Sequence, residues 1–149
     1  MTGGGNGPYY LVRPKKETRL SIRYLLAILC YPVIEAMVNA RSSHFRGDYY
    51  SHGKQFIAPL PVRMLNLDHE DEKITHDRIV GLANTLINIS RRVQNATTPR
   101  VRVTFVRQRE QLLEELFRDL DHMYGVDTEL RRNITAAFAF NNDTERETA

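Results

Sequence analysis

The sequence predicts an α+β protein that is mostly helical. A small β-hairpin or short-strand region lies beside N-terminal helices, and a long antiparallel helical hairpin follows it. Two observations support this prediction. Residues 42–61 are rich in glycine and aromatic residues, which favour turns and extended strands, and they close on the helix-breaking run Pro59-Leu60-Pro61. Apolar residues recur at helical spacing on both sides of this segment.

The N-terminal part predicts a short strand and two short helices. Residues 1–8 contain four glycines and are expected to be disordered. Residues 9–12 read as a short strand. Ser21 is a candidate N-cap for a first helix, and Pro32 fits the first turn of a second helix, where proline is tolerated.

A β-hairpin is predicted within residues 42–61. Phe45, Tyr49 and Tyr50 favour extended backbone, with a turn at Gly47-Asp48 between them. The polar, acidic residues 64–72 are predicted to be a linker.

Residues 73–132 predict a pair of long helices. Ile79, Leu86 and Val93 are seven residues apart, as on one face of a helix. The run at 95–99 ends in proline and breaks the pattern, after which a second apolar stripe contains Val106, Leu113 and Leu120.

The end of the second long helix and the residues after it show weaker signals. Gly125 is a candidate C-terminal cap for that helix. Residues 127–130 could start a short final helix, and residues 133–149 are predicted to be a polar tail.

Composition and cysteine content indicate a cytoplasmic protein. The single cysteine, Cys30, cannot form an internal disulfide and is predicted to be a small buried thiol. Apolar runs stay shorter than the ~18 residues that span a bilayer, and the N-terminus lacks the pattern of a secretion signal. Membrane association is therefore not expected.

The net charge of +3 is unevenly distributed. Residues 1–63 hold nine Lys/Arg and three Asp/Glu, which gives +6. Residues 64–149 hold twelve Lys/Arg and fifteen Asp/Glu, which gives −3. A basic first half is typical of a chain that meets nucleic acid there, although a merely solvated basic surface would give the same count.

The side chains of the sequence do not form a recognisable catalytic or metal-binding set. The five histidines are scattered, and no cysteine or carboxylate pair completes a zinc site. Asp48 and Lys54 suggest a nuclease, but one carboxylate is too few to hold its metal ion. We therefore predict no catalytic residues, no metal and no cofactor.

The basic and aromatic segment at 42–61 is instead suited to DNA binding. Arginine and lysine contact phosphates, while histidine, glutamine and tyrosine donate to phosphates or base edges. The predicted DNA-binding residues are Arg41, His44, Arg46, Tyr49, Tyr50, Lys54 and Gln55. One of the two tyrosines is equally expected to pack in the core, because alternate residues of a hairpin face inward.

Several runs of this sequence resemble a known family. They include residues 9–11, residues 24–29, Ser43-His44-Phe45-Arg46-Gly47-Asp48-Tyr49-Tyr50-Ser51, residues 54–61, and His76-Asp77-Arg78-Ile79-Val80 with Met123-Tyr124-Gly125-Val126. Together they resemble the C-terminal part of the TaqI-like specificity domain. That domain occurs in N6-adenine DNA methyltransferases and in fused type II restriction–modification enzymes. The resemblance covers residues 9–132.

The resemblance implies a DNA-binding specificity role in a restriction–modification system. Residues 9–63 would be the C-terminal part of a DNA target-recognition domain, which positions a separate catalytic domain over the target adenine. Double-stranded DNA and a methyltransferase or restriction catalytic subunit are the implied partners. The family's Asn-Pro-Pro-Tyr-type motif and S-adenosylmethionine-binding motif are absent from the sequence, which predicts a non-enzyme.

A second interpretation needs no DNA. The long helical hairpin could dock on another protein, which would make the chain a helical protein–protein interaction module. Apolar positions on the hairpin could equally drive self-association.

Overall fold

The computed structural model describes residues 15, 17–42, 44–45, 49–50 and 54–144. Its elements, in chain order, are α1 (Ile22–Leu29), α2 (Pro32–Asn39), β1 (His44–Phe45), β2 (Tyr49–Tyr50), α3 (Lys54–Ile57), α4 (Glu70–Gln94), α5 (Pro99–Tyr124) and α6 (Thr128–Thr144). The predicted disorder at 1–8 and the predicted strand at 9–12 lie outside the described residues. The apolar faces of α1, α2, α4 and α5 meet in one core, and Phe56 and Ile57 of α3 pack against it.

The two longest helices, α4 and α5, pack against each other in opposite directions. Arg78, near the start of α4, donates to Asp119 at 2.6 Å and to Glu115 at 3.0 Å, near the end of α5. Residues 95–98 connect the two helices, and proline occupies the first turn of α5, so the predicted break is confirmed.

The apolar stripes of these helices form the centre of the core. Ile79, Leu86 and Val93 of α4 are all buried, as their seven-residue spacing predicts. On α5, Leu116 and Leu120 are buried, so both long helices bury apolar side chains on folding. This burial supplies the main driving force for folding, because apolar area removed from water stabilises the folded state by about 25 cal/mol per Å².

The N-terminal helices cover this helix pair. Ser21 caps α1 by accepting a hydrogen bond from the Arg23 amide at 3.1 Å, and Pro32 lies in the first turn of α2, so both predictions are confirmed. α1 packs on α4, while α2 packs on α6. Tyr24 of α1 and Tyr31, between the two helices, are fully buried and fill the space beneath them.

A buried histidine joins α4 to the start of α1. The Nε2 atom of His76 accepts a hydrogen bond from the Ser21 amide at 3.0 Å. Its Nδ1 atom lies 2.8 Å from the Asp77 carboxylate. Because Nε2 must accept, the proton of the neutral ring lies on Nδ1, where it can be donated to the carboxylate.

The segment before α4 is fastened to the body of the protein. The Tyr24 hydroxyl donates to the Arg63 carbonyl at 2.8 Å, and the Tyr124 hydroxyl donates to the Pro61 carbonyl at 2.8 Å. Leu65 is buried, and α4 begins at Glu70. Part of residues 64–72, which were predicted to be a linker, is therefore packed or helical.

The predicted α+β class is wrong, because the described chain is built from helices and contains no β layer. Within the described ranges, strand pairing is limited to β1 and β2, which have two residues each. Such a short pair cannot form one side of a core. Lys54–Ile57, predicted within the extended segment, is a turn of helix. The aromatic residues of this segment favoured the prediction of strands. The buried surface of the core is supplied instead by the long helices α4 and α5.

Two further details differ from the sequence prediction. Cys30 is exposed, not buried, because α1 ends at Leu29 and the cysteine falls in the break before α2. The final helix, α6, has 17 residues and is longer than the short helix expected at 127–130.

In the described part of the chain, each helix taken alone is too short or too polar to cross a membrane. α1 and α2 would pass on length and composition as a pair, but they are bent by 63° at their junction. Their residues Ile28 and Ile34 are buried in the protein core.

Candidate nucleic-acid interface

Three of the predicted DNA-binding side chains are described, and all three are exposed. Arg41 follows the end of α2, and Lys54 and Gln55 open α3. Among the described residues, Arg41 and Lys54 take part in no ion pair. Their charges are therefore not neutralised by a described carboxylate.

The other predicted residues lie in or beside the two short strands. β1 and β2 pair antiparallel, with His44 opposite Tyr50 and Phe45 opposite Tyr49. The structure thus brings the backbones of His44, Tyr49 and Tyr50 together, while Arg46 lies outside the described residues.

A buried charged cluster joins α2, α5 and α6. Asp121 of α5 is 4% exposed and accepts a hydrogen bond from the Tyr31 hydroxyl at 2.6 Å. It also accepts from the Arg131 guanidinium at 2.9 Å and from the Thr128 hydroxyl at 3.0 Å. One carboxylate therefore joins the start of α2 to α5 and α6.

The guanidinium of Arg131 is as deeply buried as its partner. Arg131 is 3% exposed, and it also donates to Glu114 at 2.9 Å and lies 5.4 Å from the centre of the Phe117 ring. A buried charge is tolerated only when it is paired in this way. The cluster therefore fixes the position of α6 against α5.

The protonation states of the cluster follow from its contacts. Burial raises the pKa of the Tyr31 hydroxyl, and its hydrogen bond to Asp121 raises it further, so the hydroxyl keeps its proton and donates it. The hydrogen bond from Arg131 lowers the pKa of Glu114, so this carboxylate stays ionised.

Sequence reasoning missed a second basic region, at the end of the α4–α5 pair where residues 95–98 connect the helices. We call it the arginine tip. Its members are Arg91, Arg92, Arg100, Arg102, Arg107 and Arg109. All are exposed except Arg109, which is half-buried.

A local charge count would have found the arginine tip. Between Asp77 and Glu110 the sequence contains no aspartate or glutamate. Counting residues 64–149 as one half gives −3, because the acidic residues on either side of this stretch conceal it. The strongest basic stretch therefore lies within the half of the chain that was predicted to be acidic.

The described surface presents groups that can contact an anion. Among the described residues, no group of three or more histidine, cysteine, aspartate or glutamate side chains could hold a metal ion. The exposed guanidinium, ammonium and amide groups can donate to phosphate oxygens.

This chain is similar to a known protein over most of its length. It is the type II restriction enzyme and methyltransferase RM.Eco57I of Escherichia coli, which is 25% identical over 133 residues. The match covers 87% of this chain but 13% of the relative, so the chain spans about an eighth of that enzyme's length. The similarity relates the chain to a restriction–modification enzyme.

No family model matches the sequence. No solved structure matches it either. The TaqI-like specificity domain expected from the sequence motifs therefore stays a prediction.

Proposed function

We propose that this chain is the DNA-binding specificity part of a restriction–modification adenine-methyltransferase system and positions a separate catalytic domain on its target. The observation that carries the proposal is the similarity of most of the chain to a small part of a restriction enzyme and methyltransferase. A part of that size cannot contain the whole enzyme, so a supporting role is the simplest one for it.

The charges of the described surface support contact with DNA. Arg41 and Lys54 are exposed and form no ion pair with a described residue, which leaves their charges available to phosphates. Phosphate contacts supply most of the affinity of DNA-binding proteins and fix their position on the duplex. A positioning role requires such contacts and requires no catalytic residue on this chain.

Substituting both Arg41 and Lys54 with glutamine tests the proposal. We expect the affinity for a duplex to fall about tenfold, since two phosphate contacts are lost and tenfold corresponds to about 1.4 kcal/mol. Fluorescence anisotropy of a labelled duplex at low salt measures the change.

The matched control is the double substitution Lys73→Gln and Arg118→Gln. Both residues are exposed and the change in charge is the same, but they lie outside the predicted interface. Equal affinities for the two double variants would contradict the assignment of Arg41 and Lys54 to the DNA face. A helical protein–protein interaction module would bind no duplex in any form.

A further inference from the structure

The arginine tip concentrates positive charge at one end of the long helix pair. Arg91 and Arg92 lie in the last turn of α4, and Arg100 and Arg102 lie in the first turn of α5. Each residue of a helix advances about 1.5 Å, so Arg109 lies only about 15 Å along α5 from its start. All six arginines therefore lie in the half of the helix pair that contains the connection.

The charge of the tip is not neutralised by the described protein. None of its six arginines takes part in an ion pair with a described residue. Arg78, in contrast, lies towards the opposite end of the same helix pair and is paired with both Asp119 and Glu115. Arg118, also near that end, has no ion pair with a described residue, so the distinction of the tip is the number of arginines it gathers rather than the absence of ion pairs alone.

Helix stability explains Arg91 and Arg92, which lie at the favourable C-terminal end of α4, but it does not explain the arginines at the start of α5. The first turn of α5 has no acidic residue and contains two arginines, although cations near a helix N-terminus cost about 0.3–1 kcal/mol each. The first turn of α4 follows the favourable pattern, with Glu70, Asp71 and Glu72. Residues that oppose the helix dipole without a compensating gain in stability indicate a functional site.

One guanidinium of the tip has a donor without a partner. The Nε atom of Arg109 is shielded from solvent and has no hydrogen-bond partner within the described structure. Arg109 and Arg91 line the same groove, of about 440 Å³, between α1, α4 and α5. An anion bound in this groove could accept hydrogen bonds from both arginines, including one from the unpaired donor.

We propose that the arginine tip is a second contact surface for double-stranded DNA and binds the phosphates of its backbone. This inference rests on the proposed function, because duplex DNA is the polyanion that a specificity part must hold. The tip uses arginine and no lysine, and the planar guanidinium fork matches two phosphate oxygens at once. Gln94 and Asn95, beside the connection, add neutral amide donors for the same oxygens.

The width of the tip indicates contact with the DNA backbone rather than with the DNA bases. Two packed helices, each about 10–12 Å across with axes about 8–10 Å apart, present an end about 20 Å wide. The major groove of DNA is about 12 Å wide and accommodates one helix. The tip as a unit therefore lies across the phosphates, and its contribution to affinity does not depend on the base sequence.

The triple substitution of Arg92, Arg100 and Arg102 with glutamine tests the inference on the 149-residue chain. We expect at least a tenfold loss of affinity, of equal size for two duplexes of unrelated sequence. The slope of log K against log salt should become less steep by about 2.7, at about 0.9 for each lost phosphate contact. Glutamine is about as good a helix former as arginine, and two unfavourable charges leave the first turn of α5, so thermal stability should stay equal or rise.

The control is the triple variant Arg19→Gln, Lys73→Gln and Arg118→Gln, which removes the same charge from exposed residues outside the tip. If the two triple variants lose affinity equally, or if the loss at the tip is confined to one duplex sequence, the inference fails. The inference also fails if wild type binds DNA and the tip variant binds identically, although the proposed function then stands. If wild type binds vesicles containing about 30% phosphatidylserine but no duplex, both the inference and the proposed function fail.

Discussion

Replacing Asp121 with alanine is expected to lower the free energy of unfolding by about 3–5 kcal/mol, because the substitution leaves a buried charge without its main partner. Arg131 is 3% exposed and would keep only Glu114. The Tyr31 and Thr128 hydroxyls would lose their acceptor as well. Denaturation by urea, followed by far-ultraviolet circular dichroism, measures the change.

Asp119→Ala is the matched control, two residues earlier on the same helix. Asp119 pairs with Arg78, whose side chain is 54% exposed, and such a surface pair contributes about 0.2–1 kcal/mol. Asp121→Asn preserves the shape of the side chain while removing its charge, so a smaller but still substantial loss is expected. Equal losses for Asp121→Ala and Asp119→Ala would show that the buried cluster does not hold α2, α5 and α6 together.

Replacing Ile79 with alanine is the second substitution with a large expected effect. Ile79 is fully buried at the centre of the core, and removing such a side chain costs about 2–5 kcal/mol through lost apolar contact and the cavity left behind. The same denaturation measurement reports it.

Ile74→Ala provides the comparison on the same helix. Ile74 is 56% exposed, so its substitution should change the free energy of unfolding by less than about 0.5 kcal/mol. If the exposed and buried isoleucines were equally sensitive, the assignment of the buried face of α4 would be contradicted.

The local signals in the sequence predicted where helices start and stop. Ser21, Pro32 and Gly125 occupy the cap or first-turn positions expected of them, and Gly125 adopts the left-handed conformation (φ 65°) that favours glycine. Such signals depend on a few neighbouring residues, so one sequence is enough to read them.

The fold class could not be read in the same way. Phe45, Tyr49 and Tyr50 have strand propensity, but strand propensity reflects packing on a half-buried sheet. Among the described residues, β1 and β2 are strands of two residues each, so no larger sheet stabilises this segment there. The helices around this segment determine the class, and their mutual packing is a tertiary property.

The buried cluster could not be predicted from the sequence either. Tyr31 and Asp121 are 90 residues apart in the chain, and nothing local marks them as hydrogen-bond partners. Of the predicted interface, the structure shows the exposed side chains Arg41, Lys54 and Gln55. Whether they contact DNA stays a prediction. The arginine tip was missed for a different reason, because charge was summed over too long a stretch.

The most direct test of the central claim is the salt dependence of duplex binding by the wild-type chain. If Arg41, Lys54 and three arginines of the tip each contact one phosphate, log K should fall against log salt with a slope of about −4.5, at about −0.9 for each contact. Anisotropy titrations between about 50 and 200 mM salt measure the slope, because the affinity of phosphate contacts falls strongly over this range. A steep negative slope of this size is the predicted result. Undetectable binding at low salt, or a slope near zero, would contradict the account.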